Sequence, residues 1–239
     1  MSVVLVPRGG TWGATVAADA IGVGLTPWIM PLIETVPMPS AALTAALGRL
    51  AAGDYHWLVL TSAAAVPALA GMPTGRTGQD PRGWKVAAVG ERTAAALRAA
   101  GIAVDLVGAG GASELVHVWP SQPGQRVLAV QSDRAKPTLA QGLRKRGCSV
   151  EVVSAYRTIA TTLTDAEQHA VRSGTADVAL LTSGTVARRL AQIPVSATTR
   201  LVAIGPQTAQ DAHAAGIPPT IVASAPTVAS LLHAAQEVT

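Results

Sequence analysis

The amino-acid sequence predicts an α/β protein with parallel sheets, on three grounds. Short apolar runs such as WLVL, Trp57 to Leu60, and VALL, Val178 to Leu181, end at turn residues, as strands covered on both faces do. Alanine-rich segments of helical length follow them, and with only 3% aromatic residues these helices are expected to lie close on the sheets. The third ground is a repeat: VAAVGERTAAALRAAG, Val86 to Gly101, returns as LVAIGPQTAQDAHAAG, Leu201 to Gly216. Each copy reads as strand, glycine turn, helix and C-terminal glycine, and Pro206 suits a first helical position. The free N–H groups at such a helix start, with the positive end of the helix dipole behind them, suit an anion.

In chain order, Ser2 to Val6 reads as the first strand. A loop holding Arg8, Gly9 and Gly10 leads to a helix over Trp12 to Ala20. WIMPLIETV, Trp28 to Val36, reads as one extended piece; Pro31 inside it and Pro37 and Pro39 after it suit an edge strand or a linker. A helix over Ala41 to Ala52, the strand Trp57 to Leu60, the Thr61-Ser62 turn and a short helix from Ala63 follow, and Gly71 to Gly83 is a surface loop. Lys85 to Val89 and Glu91 to Ala100 are the strand and helix of the first repeat copy, and Val104 to Val107 is the next strand. Gly108 to Gly111 is a turn, with Ser113 expected to cap a helix ending near Trp119. Arg126 to Val130 is a strand. Asp133 to Arg146 reads as a helix whose last-turn cations face the negative end of the dipole. Val150 to Ile159 is a long extended piece, and Thr164 with Glu167 three residues on forms a capping box. Val178 to Leu181, Thr182-Ser183, a helix to Gln192, the second repeat copy, the strand Thr220 to Ala223 and the helix Thr227 to Ala235 complete the chain.

These segments form two pairs in the order A, B, A, B: Val3 to Val36 answers Val127 to Ile159, and Trp57 to Trp119 answers Val178 to His233. One A and one B make a five-stranded flavodoxin-like sheet, paired either in sequence or nested. Both A units end in an unusually long extended piece, as expected of two strands crossing side by side between lobes, which favours nesting. The expected fold is therefore two flavodoxin-like parallel-sheet domains joined by a two-strand linker. Residues 1–34 plus 158–239 form lobe one, 35–157 form lobe two, and the ligand is expected in the cleft between them.

Composition excludes several functions. With 49% hydrophobic and 13% charged residues the chain is globular, not disordered. The net charge of +4 comes from scattered Lys and Arg with few aromatics, which speaks against nucleic acid and for acidic small molecules. Cys148 is the only cysteine, so no intrachain disulfide forms and a reducing cytoplasm is expected. Val3 to Val6 is too short and lacks the basic flank of a signal peptide. Glycine and prolines interrupt Ala212 to Gln236, the longest stretch free of Asp, Glu, Lys and Arg, so no membrane span is expected. The G-x-S-x-G elbow and the phosphate loop are absent. GAGGAS at Gly108 to Ser113 departs from the dinucleotide motif in its last place. The histidines His56, His117, His169, His213 and His233 are isolated, as metal ligands are not. A receiver domain needs an acid where Thr61 and Thr182 stand. The serines after these threonines either cap helices or meet ligand.

The pieces VLVPRG, WLVLTSAAAV, VAAVGERTAAALRAAG, RVLAVQSDRAKPTLAQGLRKRG, VVSAYRT, LLTSGTV, AIGPQTA and ASAPTVASLL stand in an order that resembles the uroporphyrinogen-III synthase family over essentially the whole chain. The resemblance implies two flavodoxin-like lobes and a cytoplasmic lyase of tetrapyrrole and heme synthesis that uses no cofactor and no metal. It implies closure of the linear tetrapyrrole hydroxymethylbilane with loss of water and inversion of ring D, through a spiro intermediate. It also implies a monomer that receives this polycarboxylate by transient handover from hydroxymethylbilane synthase. Tyr156 matches the tyrosine proposed to assist the leaving hydroxyl. Thr93 and Thr208 match the threonines of the two glycine turns, Ser62 and Ser183 those of the T-S turns, and Arg8 the arginine after the first strand. The helix starts at Gly90, Gly205 and Gln207 are expected to hold carboxylates. Gln131 stands where the family often has arginine, with Arg134 or Lys136 as its replacement. The alternative from another class is a bilobal binding or sensor protein that closes on an acidic metabolite without catalysis.

Overall fold

The computed structural model describes residues 1–72, 83–120 and 122–239. The chain divides into two compact units, Met1–Glu34 with Ile159–Thr239, and Thr35–Thr158.

In the first unit the strands are β1 (Val3–Val6), β2 (Thr26–Ile29), β9 (Val178–Leu181), β10 (Arg200–Ala203) and β11 (Ile221–Val222), in the sheet order β2-β1-β9-β10-β11 with every pairing parallel. The helices α1 (Gly10–Gly22), α6 (Asp165–Ser173), α7 (Gly184–Leu190), α8 (Pro206–Ala214) and α9 (Val228–Glu237) cover it. One core holds Leu5, Ala179 and Leu181 with Leu190 and Ala212; the other holds Val4, Val6 and Val178 with Val16 and Leu231. Alternate residues of one strand enter opposite cores, which is why β1 and β9 are apolar throughout.

The second unit contains β4 (Trp57–Leu60), β5 (Lys85–Ala88), β6 (Leu106–Val107), β7 (Arg126–Ser132) and most of β8 (Ser149–Ala160). With β3 (Ile33–Pro37) at one edge, its sheet order is β3-β8-β7-β4-β5-β6. Reading β7 and β8 before β4, β5 and β6 reproduces the order of the first unit, with β3 added. A 3₁₀ helix (Ala63–Leu69) and the helices α2 (Ala41–Ala51), α3 (Glu91–Ala99), α4 (Ala112–His117) and α5 (Thr138–Lys145) pack around it. Leu60 and Leu128 are fully buried, and truncating either to Ala costs about 2–5 kcal/mol.

The internal repeat extends to side chains that clamp strand starts. Asp177 Oδ2 accepts the Val3 N–H at 2.7 Å, and His56 Nδ1 accepts the Arg126 N–H at 3.0 Å, both just before the middle strand of their unit. Asp105 Oδ2 accepts from Val86 N at 2.7 Å, as Thr220 Oγ1 does from Leu201 N at 3.2 Å.

Several sequence expectations need correction. Trp28 to Val36 is two strands, not one. Around Pro31, which has no N–H to give, Met30 N and Leu32 N bond the Val6 and Pro7 carbonyls at 3.0 Å each. The helix expected from Asp133 starts at Thr138, with Pro137 as its N-cap residue. A helix running from Asp133 through Pro137 would leave the Asp133 carbonyl without its N–H and force Lys136 into a conformation that proline disfavours. Ser113 lies inside α4, whose N-cap is Gly111, and makes no cap bond. The segment after Ser62 is 3₁₀ with Pro67 inside it. The expected loop at Gly71 to Gly83 lies largely outside the described residues. Thr164 and Glu167 form the expected capping box, and Pro206 takes the first helical position.

Candidate functional site

Strands of a parallel sheet all end at one edge, so the residues just after them gather there. In the second unit Leu60 pairs with Ala88 and Val130, which brings Ser62, Gly90 and Gln131 to the carboxyl edge. In the first unit β1, β9 and β10 are neighbours, which brings Arg8, Ser183 and Gly205 to the corresponding edge.

Two of these positions open helices without help from a side chain. Gly90 and Gly205 are the N-caps of α3 and α8, both in extended backbone and both lacking a side-chain cap bond. The first N–H groups of these helices therefore face out uncapped, with the dipole behind them. The two starts differ in charge: α3 carries Glu91 in its first turn, tied to Arg98 at 2.5 Å, whereas α8 has no acid there. Against that, Pro206 in the first position of α8 has no N–H to offer, so its free donors begin at Gln207.

The buried polar residues among those described are Thr93, Gln131 and Thr208, each less than a tenth exposed. All three lie at carboxyl edges, the threonines third in α3 and in α8. Among the described residues their side chains make no hydrogen bond, although buried polar groups in folded proteins rarely go without one.

Ser62 and Ser183 use their hydroxyl oxygens for capping, accepting from Ala64 N at 3.2 Å and Val186 N at 3.3 Å. The hydroxyl of Thr182 is sealed off without a partner. The Arg8 guanidinium stacks over Trp12 at 5.6 Å. Gln207 is exposed, its amide 3.5 Å from Asp211 Oδ1. Arg134 and Lys136 are exposed on the loop after β7, and among the described residues neither forms an ion pair.

Tyr156 is positioned by a β-bulge. Along β8, Val153 and Ala155 point into the core under the 3₁₀ helix and α3, so strict alternation sends residue 156 to the other face. The pairing slips instead: Gln131 lies opposite Ser154 and Ser132 opposite Tyr156, with Ala155 the extra residue. Ala155 and Tyr156 consequently enter the same core, Tyr156 with 9% exposure. The family resemblance singled out Tyr156 as a candidate but not this device, because a bulge is defined against a partner strand.

Sequence reasoning also missed a polar cluster at the amino edge of the second sheet, where a cavity is lined by Arg49, Asp54, Tyr55, Arg126, Ser149 and Glu151. Tyr55 OH donates to Glu151 Oε2 at 2.6 Å, and Arg49 donates to Tyr55 OH at 3.2 Å and to Glu151 Oε1 at 2.5 Å. The Tyr55 hydrogen bond, aided by Arg49, holds the Glu151 carboxyl below its ordinary range, and burial pushes the Tyr55 phenol up. These groups satisfy one another and lie at the far end of the strands from the sites above. Among the described residues no three His, Cys, Asp or Glu side chains gather as a metal site requires, and no helix is long and apolar enough to cross a membrane.

A family model for uroporphyrinogen-III synthase HemD matches residues 15–233. Among solved structures, the chain is similar to a mutant uroporphyrinogen III synthase from the extremely thermophilic bacterium Thermus thermophilus, with 21% identity and TM-score 0.65, covering 100% of this chain and 98% of that one. It is likewise similar to a uroporphyrinogen-III synthetase from Helicobacter pylori, with 18% identity and TM-score 0.69, covering 100% and 99%. At these identities the structural likeness speaks for the fold. No curated protein matches the chain.

Proposed function

Because the chain belongs to the uroporphyrinogen-III synthase family, we propose that it closes hydroxymethylbilane to uroporphyrinogen III, with loss of water and inversion of ring D, and so acts as a lyase of tetrapyrrole synthesis. The observation that carries this reading is the family match over residues 15–233, on a fold whose two sheets each end in an uncapped helix start.

The chemistry asks little of acids and bases. Breaking the carbon–oxygen bond at ring A takes one proton to form water and leaves a delocalised azafulvenium cation. The substituted carbon of the electron-rich ring D pyrrole then attacks it and forms a spiro intermediate. The bond from that carbon to the ring C bridge breaks, leaving a second azafulvenium cation there, and the terminal carbon of ring D closes on it with loss of one proton. Unassisted, the terminal carbon of ring D closes the ring and gives the type I isomer. The protein's task is to hold ring D so that its substituted carbon attacks, and orientation and fixed electrostatics supply that. The helix starts at Gly90 and Gly205 hold carboxylates through backbone N–H groups, assisted by Thr93, Thr208, Gln207 and the cations Arg8 and Arg134. Ser62 and Ser183 brace the neighbouring turns, and Tyr156 donates the proton to the departing hydroxyl. The proposed enzyme is a cytoplasmic monomer that takes this polycarboxylate by transient handover from the enzyme that makes it.

Freshly prepared hydroxymethylbilane tests the reading. The protein should turn the product from type I to type III, as chromatography of the oxidised porphyrins reads out. Only type I at high enzyme concentration defeats it.

A further inference from the structure

Gln131 is buried to 8% exposure at the carboxyl end of β7, yet among the described residues its carboxamide has no hydrogen-bond partner. An amide so nearly buried is largely desolvated and gains no hydrogen bond from the described residues in return. Its amide atoms are not among the sealed-off polar atoms, so the group keeps an opening to solvent at the sheet edge. The chain bends sharply just after it, where the Arg134 N–H bonds Ser132 Oγ at 3.3 Å. That turn carries the exposed cations Arg134 and Lys136, while the nearby acid, Asp133, lies 3.9 Å from Arg157. A neutral donor at the edge of a sheet with two cations on the adjoining turn is a complementary set for a carboxylate.

We propose that Gln131 is a substrate-binding residue, its Nε2 donating to one carboxylate of the bound polyanion while Arg134 and Lys136 supply the charge. The inference deepens the synthase reading and rests on it for the nature of the substrate. Burial of the amide before ligand arrives limits its rotamers, so the ordering cost falls on folding and the contact adds affinity for the bound carboxylate.

Gln131→Met keeps the length and removes the donor, and Gln131→Glu keeps the shape and adds a repelling charge. Three quantities are measured on the full chain: the melting temperature, KM and kcat with hydroxymethylbilane, and calorimetric affinity for benzenehexacarboxylate as a plain polycarboxylate probe. The Met variant is expected to melt at or above the wild type, to bind the probe more weakly, and to show KM raised about tenfold or more with kcat within a few-fold. The Glu variant should show the larger rise in KM. A lower melting temperature for the Met variant means that the amide has a structural bond and overturns the proposal. So does unchanged probe affinity in a variant of normal stability. If the wild type makes only type I product, the synthase reading fails separately, and the probe affinities alone decide whether Gln131 binds carboxylates.

Discussion

Tyr156 lies opposite Ser132, one residue out of step with the pair Gln131 and Ser154 beside it. That slip turns the phenol into the core that contains Ala94 and Leu97 of α3, the helix whose start bears Thr93. A positioned general acid contributes about a hundred- to ten-thousand-fold, but the azafulvenium cation forms readily on an electron-rich pyrrole. Tyr156→Phe is therefore expected to lower kcat by no more than roughly a hundredfold, with the residual product still type III. A folded, substrate-binding Tyr156→Phe enzyme that makes no type III product contradicts catalysis by orientation.

Two glycines at the starts of neighbouring helices should respond in opposite ways. A Cβ on Gly205 would meet only Pro226 Cβ at 3.9 Å, and its extended backbone suits any residue. Gly205→Val should thus keep its stability and raise KM, because the added group stands where a carboxylate approaches the α8 start. A Cβ on Gly184 would collide with the carboxylate of Asp211, so Gly184→Ala should destabilise by about 1–3 kcal/mol. Denaturant melts alongside kinetics separate the two, and a destabilised Gly205→Val with unchanged KM counts against the helix-start site.

Carboxylate capture by partly exposed cations and helix starts is screened by salt. KM is expected to rise with ionic strength while kcat changes little, and dialysis against a chelator should leave activity intact. Activity lost to the chelator and restored by a metal contradicts the proposed chemistry.

The capping box of α6 gives a pH signature. Thr164 N–H donates to Glu167 Oε2 at 2.8 Å, and this backbone bond, with the Thr164 hydroxyl, holds the Glu167 carboxyl below its ordinary value. A lowered carboxyl pKa stabilises the fold above the unfolded value of about 4.3, and the contribution is lost as pH falls through the folded value. Glu167→Ala should accordingly be less stable than wild type at pH 7, with the gap closing below about pH 4. Thr164→Ala should cost about 1 kcal/mol by denaturant titration. A gap that persists unchanged at pH 3 rules out the carboxylate as its source.

How much the sequence alone determined follows the range of the forces involved. The middle strands Trp57–Leu60 and Val178–Leu181, the Thr164–Glu167 box and the Pro206 helix start were legible because apolar runs and caps act within a few residues. The order A, B, A, B made the matching patterns of each pair legible, since each pattern must bury the same faces wherever it recurs, but it left open whether the units pair in sequence or nested. Even Pro137 held the information that α5 begins late, since proline bars a helix running through it from Asp133. Other features belong to tertiary structure. Whether Trp28 to Val36 is one strand or two depended on the carbonyls of Val6 and Pro7, a partner no local pattern names. The direction of Tyr156 depended on how β8 pairs with β7, and the burial of Gln131 without a partner on what packs over the end of that strand. Periodicity decides which residues turn inward along a single strand. Cross-strand register decides where that alternation is broken, and at Tyr156 the bulge breaks it beside the carboxyl edge.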